Sequence, residues 1–342
     1  MSEAGSDLEV IVETGARLHF GLLAFGQQHG RQFGGVGAMI DGVGFRLAVS
    51  PAESLQVVDR SETGSWSPRI ESTVARYVAA ESLTAPPPCR IEVIAAPRPH
   101  TGLGSGTQLG LAVAAALDRY RGCPVRDIEE LAAVSGRGQR SAVGAHGFVQ
   151  GGLLFEEGKL PGEMLSPLAE RVALPDEWRF VLFSRDAVEG QSGTAEQESF
   201  ARLPPISGEV TARLRSEIVE SMLPAARQGD RAAFGESLDR YGSTAGACFA
   251  AAQGGVYASA ESARLVERLR TAGVVGVGQS SWGPTIFALA ANAGEAETIV
   301  ELVEREAAKD TSLAVWRTSL VSVRNHGALI ESRSPTTLKT TS

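Results

Sequence analysis

The residues best suited to chemistry lie in a glycine-rich segment, residues 99–108, which reads P-H-T-G-L-G-S-G-T-Q. It follows a β-rich stretch and precedes an amphipathic helical pattern. Glycines let backbone N–H groups converge, and the start of a helix adds unpaired N–H groups and a positive dipole end. Ser105 and Thr107 add hydroxyls for phosphate oxygens or hydrated Mg²⁺. The segment therefore predicts a phosphate site, although an ordinary glycine-rich turn with a helix cap is consistent with the same residues.

Two arginines, Arg137 and Arg140, lie in a second glycine-bearing segment, G-R-G-Q-R-S at residues 136–141. A guanidinium can bind a diphosphate or a carboxylate through two parallel hydrogen bonds. Arginines are more often solvated surface residues, so composition alone favours that ordinary role. Residues 102–107 contain no lysine, which excludes a Walker P-loop.

Composition indicates a folded two-domain protein, because the 342 residues are 43% hydrophobic and only 21% charged. A net charge of -8 gives no basic surface for nucleic acid or a membrane. The apolar run 109–117 is about half the ~18 residues that a membrane span needs. The N-terminus lacks the pattern of a signal peptide, and the three cysteines are widely separated. We therefore expect a cytoplasmic protein.

Hydrophobic periodicity predicts an α+β chain with a domain boundary near residue 190. Strands are predicted at 8–13, 45–49, 55–58, 90–95, 180–184, 274–277, 285–290 and 314–323. Helices are predicted at 107–120, 210–227, 231–241, 258–271 and 296–309, with a short helix that starts after Asp127 and ends near Gly136. The strands 45–49 and 55–58 are predicted to pair as a hairpin. Residues 16–21 are expected to form a functional loop, and the five glycines of residues 33–44 to let backbone approach a ligand.

Two of these segments resemble motifs of the GHMP kinase superfamily. Residues 99–107 are similar to its second motif, P-x-x-x-G-L-G-S-S-A, and residues 278–285, G-Q-S-S-W-G-P-T, to its third. The resemblance implies a GHMP-kinase-like two-domain α+β fold. Residues 1–190 would form a ribosomal protein S5 domain 2-like N-terminal domain and residues 191–332 a ferredoxin-like C-terminal α+β domain. A disordered tail would follow at 333–342.

One departure from the kinases redirects the expected chemistry. Ala145 stands where many GHMP kinases carry an aspartate that deprotonates the substrate hydroxyl. A kinase of this design without a proton acceptor would lose roughly 10²- to 10⁴-fold in rate. The segments 17–22, 33–37, 136–152, 190–196, 222–225 and 253–255 instead resemble the β-ribofuranosylaminobenzene 5′-phosphate synthase family of the same superfamily.

That resemblance implies a phosphoribosyltransferase of tetrahydromethanopterin biosynthesis. The enzyme would join phosphoribosyl diphosphate to 4-aminobenzoate or 4-hydroxybenzoate at a ring carbon and release diphosphate and carbon dioxide. No protein nucleophile would be needed. We expect Mg²⁺ but no organic cofactor, no nucleic-acid or membrane partner, and a homodimer.

The candidate residues fall into three groups. The proposed catalytic residues are Arg17, His19, Arg137, Arg140 and Glu196. The proposed phosphate-binding residues are Gly102, Leu103, Gly104, Ser105, Gly106, Thr107 and Gln108. The proposed substrate-binding residues are Phe20, Gly35, Ser192, Gly193, Gln279, Ser280, Ser281, Trp282 and Gly283.

For several of these residues a structural role competes with the functional one. Mg²⁺ would contact Ser105, Thr107 or Glu196, yet Glu196 could equally be a solvated acid. His19 could move a proton or simply bond a backbone carbonyl. Of the aromatic residues beside the glycine-rich segments, Phe20, Phe33 and Trp282 could stack on a ring or pack in the core. Tyr241 and Phe249 are predicted to be core residues.

Two other functions fit the same pattern. One is an ATP-dependent small-molecule kinase that recruits Glu196 or Asp186 as its base. The other is a relative that binds a nucleotide without turnover. The missing acid argues against the first. The arginines argue against the second, because desolvating several like charges is costly unless anions meet them.

Overall fold

The computed structural model describes residues 8–185, 203–310 and 313–333. Its strands are β1 (Glu9–Glu13), β2 (Ala16–Ala24), β3 (Phe33–Ile40), β4 (Arg46–Pro51), β5 (Gln56–Asp59), β6 (Cys89–Ala95), β7 (Leu153–Glu156), β8 (Leu168–Val172), β9 (Arg179–Ser184), β10 (Val277–Gln279), β11 (Ile286–Ala290), β12 (Arg317–Ser322) and β13 (Leu329–Arg333). Its α-helices are α1 (Ser67–Ala80), α2 (Ser105–Tyr120), α3 (Ile128–Ser135), α4 (Val143–Gln150), α5 (Gly208–Ser216), α6 (Leu223–Gln228), α7 (Arg231–Ala247), α8 (Ala250–Gln253), α9 (Ala260–Thr271) and α10 (Ala293–Ala307). A π-helical turn, Glu217–Met222, joins α5 to α6.

The strands form three sheets. The first has the order β13-β1-β4-β6-β5, the second β2-β3-β7-β8 and the third β10-β11-β9-β12. The third sheet is antiparallel throughout and is built from a β-α-β-β-α-β succession of elements. This is the succession of a ferredoxin-like unit, as predicted for the C-terminal part of the chain.

Helix α2 lies at the centre of the N-terminal core. Its residues from Gln108 to Asp118 are buried on every side, which matches its run of alanine, leucine and valine. It contacts α1, α3, β1 and β4. Gly104, the residue before the helix, has a φ of 71°, a left-handed conformation that glycine adopts without a Cβ penalty. The loop before α2 is therefore held in place by a fully packed helix.

The third sheet buries both of its faces, because successive strand residues point to opposite sides. Val181 and Phe183 of β9 pack with α9 and α10. Phe180 and Leu182 pack on the other face, in the cluster that contains Leu238 of α7 and residues of β2 and β3. Helix α7 consequently lies between the second and third sheets.

Many of the predicted elements are confirmed, with ends that shift by a few residues. The strand at 90–95 is β6, the helix at 107–120 is α2, and the strand at 180–184 is β9. Asp127 caps α3 by accepting a hydrogen bond from the Glu130 amide, and Gly136 ends the helix with a φ of 67°. Helices α1, α4 and α8 and strands β7, β8 and β13 were not predicted.

Three local predictions are wrong. Residues 16–21 belong to strand β2 and not to a loop. Most of the glycine stretch 33–44 is strand β3, where glycine is needed for strand packing: a Cβ on Gly35 would lie 2.2 Å from the Gly21 carbonyl oxygen. Strands β4 and β5 do not form a hairpin, since β6 pairs with both, antiparallel to β4 and parallel to β5.

The sheets do not follow the predicted division at residue 190. Strand β9 ends before that residue, yet it lies in the third sheet between β11 and β12. Strand β13 returns to the first sheet and pairs with β1. The domain limits 1–190 and 191–332 stay a prediction, and the tail after residue 333 lies outside the described residues.

No helix in residues 8–185, 203–310 or 313–333 is long and apolar enough to cross a membrane.

The side chain of Asp239 attaches α7 to the third sheet. Its carboxylate accepts hydrogen bonds from the amides of Gly276, at 3.1 Å, and Val277, at 2.8 Å. It also accepts one from the Arg270 guanidinium at 2.9 Å. Replacing it leaves these donors without an acceptor, so we expect Asp239→Ala to lower the free energy of unfolding by about 3 kcal/mol.

Urea denaturation measures this change. Glu236→Ala, on the exposed side of the same helix, is the matched control and should alter stability by no more than about 0.5 kcal/mol. Equal stability of Asp239→Ala and the control would contradict the role assigned to this carboxylate.

Candidate active site

A cavity of about 290 Å³ lies between the second and third sheets. Its walls come from β2, the first turn of α2, the loop between α3 and α4, helix α7 with the residues that follow it, and the loop between β10 and β11. The residues that line it are Arg17, His19, Phe20, Gly21, Leu22, Thr107, Gly136, Arg137, Gly138, Gln139, Arg140, Ser141, Leu238, Gly242, Ala245, Gly246, Phe249, Gln253, Val256, Tyr257, Gly278, Gln279, Ser281, Trp282 and Phe287. Segments far apart in the sequence thus share one cavity.

The two glycine-rich segments touch backbone to backbone. A Cβ on Gly102 would lie 2.7 Å from the Cα of Gly283, and a Cβ on Gly283 would lie 2.3 Å from the Cα of Gly102. Ser280 donates its hydroxyl hydrogen to the Gly102 carbonyl at 2.8 Å, and Thr285 donates to the Thr101 carbonyl at 2.7 Å. These contacts join the loop before α2 to the loop between β10 and β11.

Strand β2 fixes both loops. The Arg17 amide donates to the Leu103 carbonyl at 2.9 Å, and the Arg17 guanidinium donates to the Gly102 carbonyl at 3.1 Å. Further along the strand, the Ser281 amide donates to the carbonyl of His19 at 2.9 Å. Ser281 has a φ of 56°, a strained left-handed conformation for a residue with a side chain. The strand that the sequence analysis took for a loop is therefore the support of the site.

The assignment of residues 102–108 to phosphate binding stays a prediction, and these residues differ in whether they line the cavity. Thr107 lines the cavity at the first turn of α2, where unpaired N–H groups carry the positive end of the helix dipole. The other predicted residues of this loop and turn lie behind that surface: Gly102, Leu103, Gly104, Ser105, Gly106 and Gln108. Leu103 belongs to the core, and Gln108 is 1% exposed and donates to the Gly144 carbonyl at 2.7 Å. Gln108 therefore holds α4, and its assignment to phosphate stays a prediction.

Arg137 and Arg140 both line the cavity, as predicted. The Arg137 guanidinium lies against the first turn of α2, 3.3 Å from the position of a Cβ on Gly106. No carboxylate of the described residues forms a salt bridge with Arg137, and its buried Nε has no hydrogen-bond partner there. Burial lowers the pKa of Arg137, and the nearby charges of Arg69 and Arg76 lower it further. This end of the cavity is therefore strongly cationic.

His19 lies on β2 with 2% of its surface exposed. Its amide donates to the Ser280 hydroxyl at 3.2 Å. Its Nε2 atom is buried and has no hydrogen-bond partner among the residues that the structure describes. Burial holds the pKa of His19 well below its ordinary value, and the Arg17 charge lowers it further. The imidazole is therefore neutral near pH 7, with one ring nitrogen left for a ligand.

Part of the cavity wall is aromatic. Phe20 and Trp282 line it, as predicted, and each contacts a further aromatic residue of the lining. The ring centroids of Phe20 and Phe287 are 5.4 Å apart, and those of Phe249 and Trp282 are 5.0 Å apart in an edge-to-face arrangement. Phe249 is buried, as expected of a core residue, but it also forms part of the cavity wall.

Some predicted substrate contacts are not in the lining. Gly35 is paired within β3 and is not among the lining residues. Phe33 packs beside a core cluster. Tyr241, predicted to be a core residue, is fully buried and donates to the Gly21 carbonyl at 2.8 Å. Ser280 and Gly283 support the loop, whereas Gln279 and Ser281 line the cavity. Glu196, Ser192 and Gly193 lie outside the described residues, as does Asp186.

Helix α7 and the residues that follow it also line the cavity, which was not predicted from the sequence. Leu238, Gly242 and Ala245 face the cavity at helical spacing, followed by Val256 and Tyr257. The same spacing also fits a helix packed on a core, so no signal in the sequence separated the two cases.

Comparisons with known proteins place the chain in a family. Residues 70–152 match the family described as "GHMP kinases N terminal domain", and residues 222–309 match "GHMP kinases C terminal". The chain belongs to the GHMP kinase superfamily. It is 28% identical to the β-ribofuranosylphenol 5′-phosphate synthase of Methanothermobacter thermautotrophicus, over 82% of this chain and 89% of that protein. It is 26% identical to the protein of the same name from Archaeoglobus fulgidus, over 94% and 99% of the two chains.

Solved structures agree on the GHMP kinase fold. The homoserine kinase of Cytophaga hutchinsonii aligns over 97% of this chain and 99% of its own, with a TM-score of 0.65 and 15% identity. The galactokinase of Lactococcus lactis aligns over 95% of both chains, with a TM-score of 0.66 and 16% identity. The GHMP-kinase-like two-domain α+β fold predicted from the two glycine motifs is confirmed.

The acidic residues of the described parts of the chain lie outside the cavity lining, which contains no carboxylate. Ala145, at the position expected for a kinase aspartate, is buried in α4. The nearby Glu156 is fully buried and accepts a hydrogen bond from the Ala142 amide at 2.7 Å, at the start of α4. Burial raises the pKa of Glu156. Its visible role is to cap that helix.

The neutral state of His19 gives a testable pH dependence. Because folding lowers the pKa of His19, this residue binds a proton below pH 6.5 in the unfolded chain but stays neutral in the folded protein. Proton binding therefore favours the unfolded chain as the pH falls, and the free energy of unfolding decreases. We expect the free energy of unfolding to drop between pH 6.5 and pH 5 by about 1–2 kcal/mol more in the wild type than in His19→Gln.

Urea denaturation across this pH range provides the comparison. Two other buried groups, His146 and Glu156, shift in opposite directions and remain in both proteins, so the difference isolates His19. His29→Gln, at an exposed position, should follow the wild-type curve. Parallel curves for His19→Gln and the wild type would show that His19 is not held neutral by burial.

Proposed function

We propose that the chain is a phosphoribosyltransferase of tetrahydromethanopterin biosynthesis. It joins phosphoribosyl diphosphate to 4-hydroxybenzoate or 4-aminobenzoate and releases diphosphate and carbon dioxide. The observation that carries the proposal is a single cavity whose lining contains both arginines and aromatic residues. The curated relatives are named for a ribofuranosylphenol product, which favours 4-hydroxybenzoate as the acceptor.

The cationic end suits the donor. Arg17 and Arg137 lie beside the first turn of α2, and Arg140 lines the same cavity. Two kinds of positive potential, guanidinium charge and helix dipole, therefore act on the same volume. A diphosphate group leaves with the bonding electron pair and gains negative charge as it departs. Preorganised cations stabilise that charge without a cost of reorganisation during the reaction.

The aromatic end suits the acceptor. Phe20, Trp282 and Phe249 offer apolar ring faces and edges at distances typical of aromatic pairs. They would hold a flat benzoate ring against the sugar and exclude water from the reacting carbon. Holding the two reactants in this way supplies the orientation that a reaction between two substrates otherwise lacks.

His19 can raise the reactivity of a phenol. Its neutral Nε2 is able to accept a hydrogen bond from the phenolic hydroxyl, which increases the electron density at the ring carbon opposite the hydroxyl. That carbon forms the bond to C1 of ribose as the C1–oxygen bond to diphosphate breaks. Carbon dioxide then leaves, its bonding electrons restore the aromatic ring, and the phenol oxygen keeps its proton. The equation balances without any oxidant or protein nucleophile.

The residues present do not form a magnesium site by themselves. The described part of the chain holds no cluster of three metal-ligating side chains. Of the proposed ligands, Thr107 lines the cavity, Ser105 lies behind it, and Glu196 is not among the described residues. We propose that Mg²⁺ enters with the diphosphate of the donor, whose oxygens supply most of its ligands. A homodimer likewise stays a prediction.

A direct assay tests the function. Purified protein is incubated with Mg²⁺, phosphoribosyl diphosphate and 4-hydroxybenzoate carrying ¹⁴C in the carboxyl group. We expect release of ¹⁴CO₂ and diphosphate in equal amounts, with 4-aminobenzoate tested in parallel. Consumption of ATP without release of carbon dioxide would instead support a kinase, and tight binding without turnover would support a non-catalytic relative.

Arg137 provides a sharper test, because its charge is unfavourable in the empty protein. Arg137→Met keeps the apolar stem but removes the desolvated charge next to Arg69 and Arg76. We expect the Kd for phosphoribosyl diphosphate to rise about 10- to 100-fold, while the melting temperature stays the same or rises.

Isothermal titration calorimetry and thermal unfolding give the two readouts. Arg137→Lys should recover only part of the affinity, since an ammonium cannot make the paired hydrogen bonds of a guanidinium. Arg119→Met, at an exposed position on α2, is the matched control and should bind as the wild type does. Wild-type affinity in Arg137→Met would remove this residue from the donor site.

A further inference from the structure

Helix α7 contains glycines in its interior, where glycine is the least favourable residue after proline. For Gly235 and Gly246 the packing explains the choice. A Cβ on Gly235 would lie 2.9 Å from Cγ2 of Val275, and a Cβ on Gly246 would lie 2.7 Å from the Val256 carbonyl oxygen. Larger side chains at these two positions would push neighbouring segments away.

Gly242, in the same helix, has no such explanation. A Cβ there would meet no described atom within 4 Å, and Gly242 is not among the residues with a positive φ. Neither packing against the described chain nor backbone conformation therefore requires glycine at this position. Gly242 does line the cavity, one turn from Leu238 on the same face of the helix. A side chain at residue 242 would project into the empty volume.

A second observation shows that this volume suits a ligand. His19, which is 2% exposed, lines the same cavity and has a buried Nε2 without a partner among the described residues. An unpaired buried polar atom is costly unless a ligand or water completes its hydrogen bonds. Aromatic residues, including Phe20 and Phe249, line the remaining apolar wall. The cavity thus combines an apolar wall with one polar partner, as a phenol ring requires.

We propose that Gly242 keeps the acceptor end of the cavity open and limits the size of the aromatic ring that it admits. This role rests on the proposed function and identifies a specificity-determining residue for it. The cavity measures about 290 Å³, so a few added atoms remove a substantial part of the acceptor space. Glycine disfavours the helix at this position, but a larger residue would occupy space that the ligand needs.

The test compares Gly242→Ala and Gly242→Leu with the wild type. Alanine should raise the melting temperature by about 2 °C, because it favours the helix and contacts nothing. The same change should weaken binding of 4-hydroxybenzoate about ten-fold, the usual effect of one extra carbon in a fitted pocket. Leucine should weaken that binding by more than about 100-fold. Affinity for phosphoribosyl diphosphate should stay within about two-fold in both variants, since the donor is assigned to the arginines and not to α7.

Calorimetric titration of each ligand alone supplies the affinities. Gly208→Ala is the matched control, because residue 208 also meets nothing within 4 Å among the described atoms but does not line the cavity. It should bind both ligands as the wild type does. A lower melting temperature of Gly242→Ala, or an equal loss of affinity for both ligands, would show a structural role and overturn the inference.

The wild-type result separates this inference from the proposed function. If the wild type neither binds nor converts 4-hydroxybenzoate or 4-aminobenzoate, the proposed function fails and the role of Gly242 fails with it. If the wild type is active and Gly242→Leu keeps full affinity for 4-hydroxybenzoate, only the role of Gly242 is wrong.

Discussion

The close backbone contact between Gly102 and Gly283 is the constraint on which the site depends. Either residue with a Cβ would force the two loops apart, since the added atom would lie 2.7 Å or less from the opposite Cα. The loops belong to different sheets, and β2 holds both through hydrogen bonds of Arg17 and His19. Separation of the loops would therefore divide the cavity into two surfaces, with the arginines on one side and Ser281 on the other.

Charge is the second constraint. Arg137 is desolvated beside a helix N-terminus, and no described carboxylate pairs with it. Such an arrangement lowers the stability of the empty protein, and an anionic ligand relieves that cost. The buried carboxylate closest in sequence to this loop, Glu156, caps α4 and does not line the cavity. In the proposed function, the phosphate groups of the donor would complete the charge balance of the site.

The sequence predicted those parts of the fold that local chemistry determines. Helix α2 was predictable because its apolar period and its preceding glycines act over a few residues. Strands β2 and β3 were not, because their glycines resemble loop residues until the strands are paired. Only then does the distance of 2.2 Å between a Gly35 Cβ and the Gly21 carbonyl explain the glycine. The pairing of β5 with β6 is also a long-range property, so proximity in sequence wrongly suggested a hairpin with β4.

The residues that line the cavity also divide into those that were predicted from the sequence and those that were not. Segments with distinctive glycine and arginine spacing, 136–141 and 278–282, supply much of the cavity lining and were found from their motifs. The face of α7 was not found, because Leu238, Gly242 and Ala245 follow the pattern of any buried helix. Their role appears only when the neighbours of each residue are known. Gly242 is informative because a Cβ added there would meet no described atom within 4 Å.

The surroundings of Ala145, where a kinase aspartate is expected, show that this chain differs from a kinase by more than the loss of one residue. Ala145 is 1% exposed and belongs to an apolar cluster with side chains of α2 and α3. An aspartate placed there would be buried in apolar surroundings, where the charged carboxylate is strongly disfavoured. Apolar side chains surround the position from which a kinase base would act, whereas Arg17, Arg137 and Arg140 line the cavity. In the proposed function, these arginines bind the phosphorylated donor and the neutral imidazole of His19 activates the acceptor.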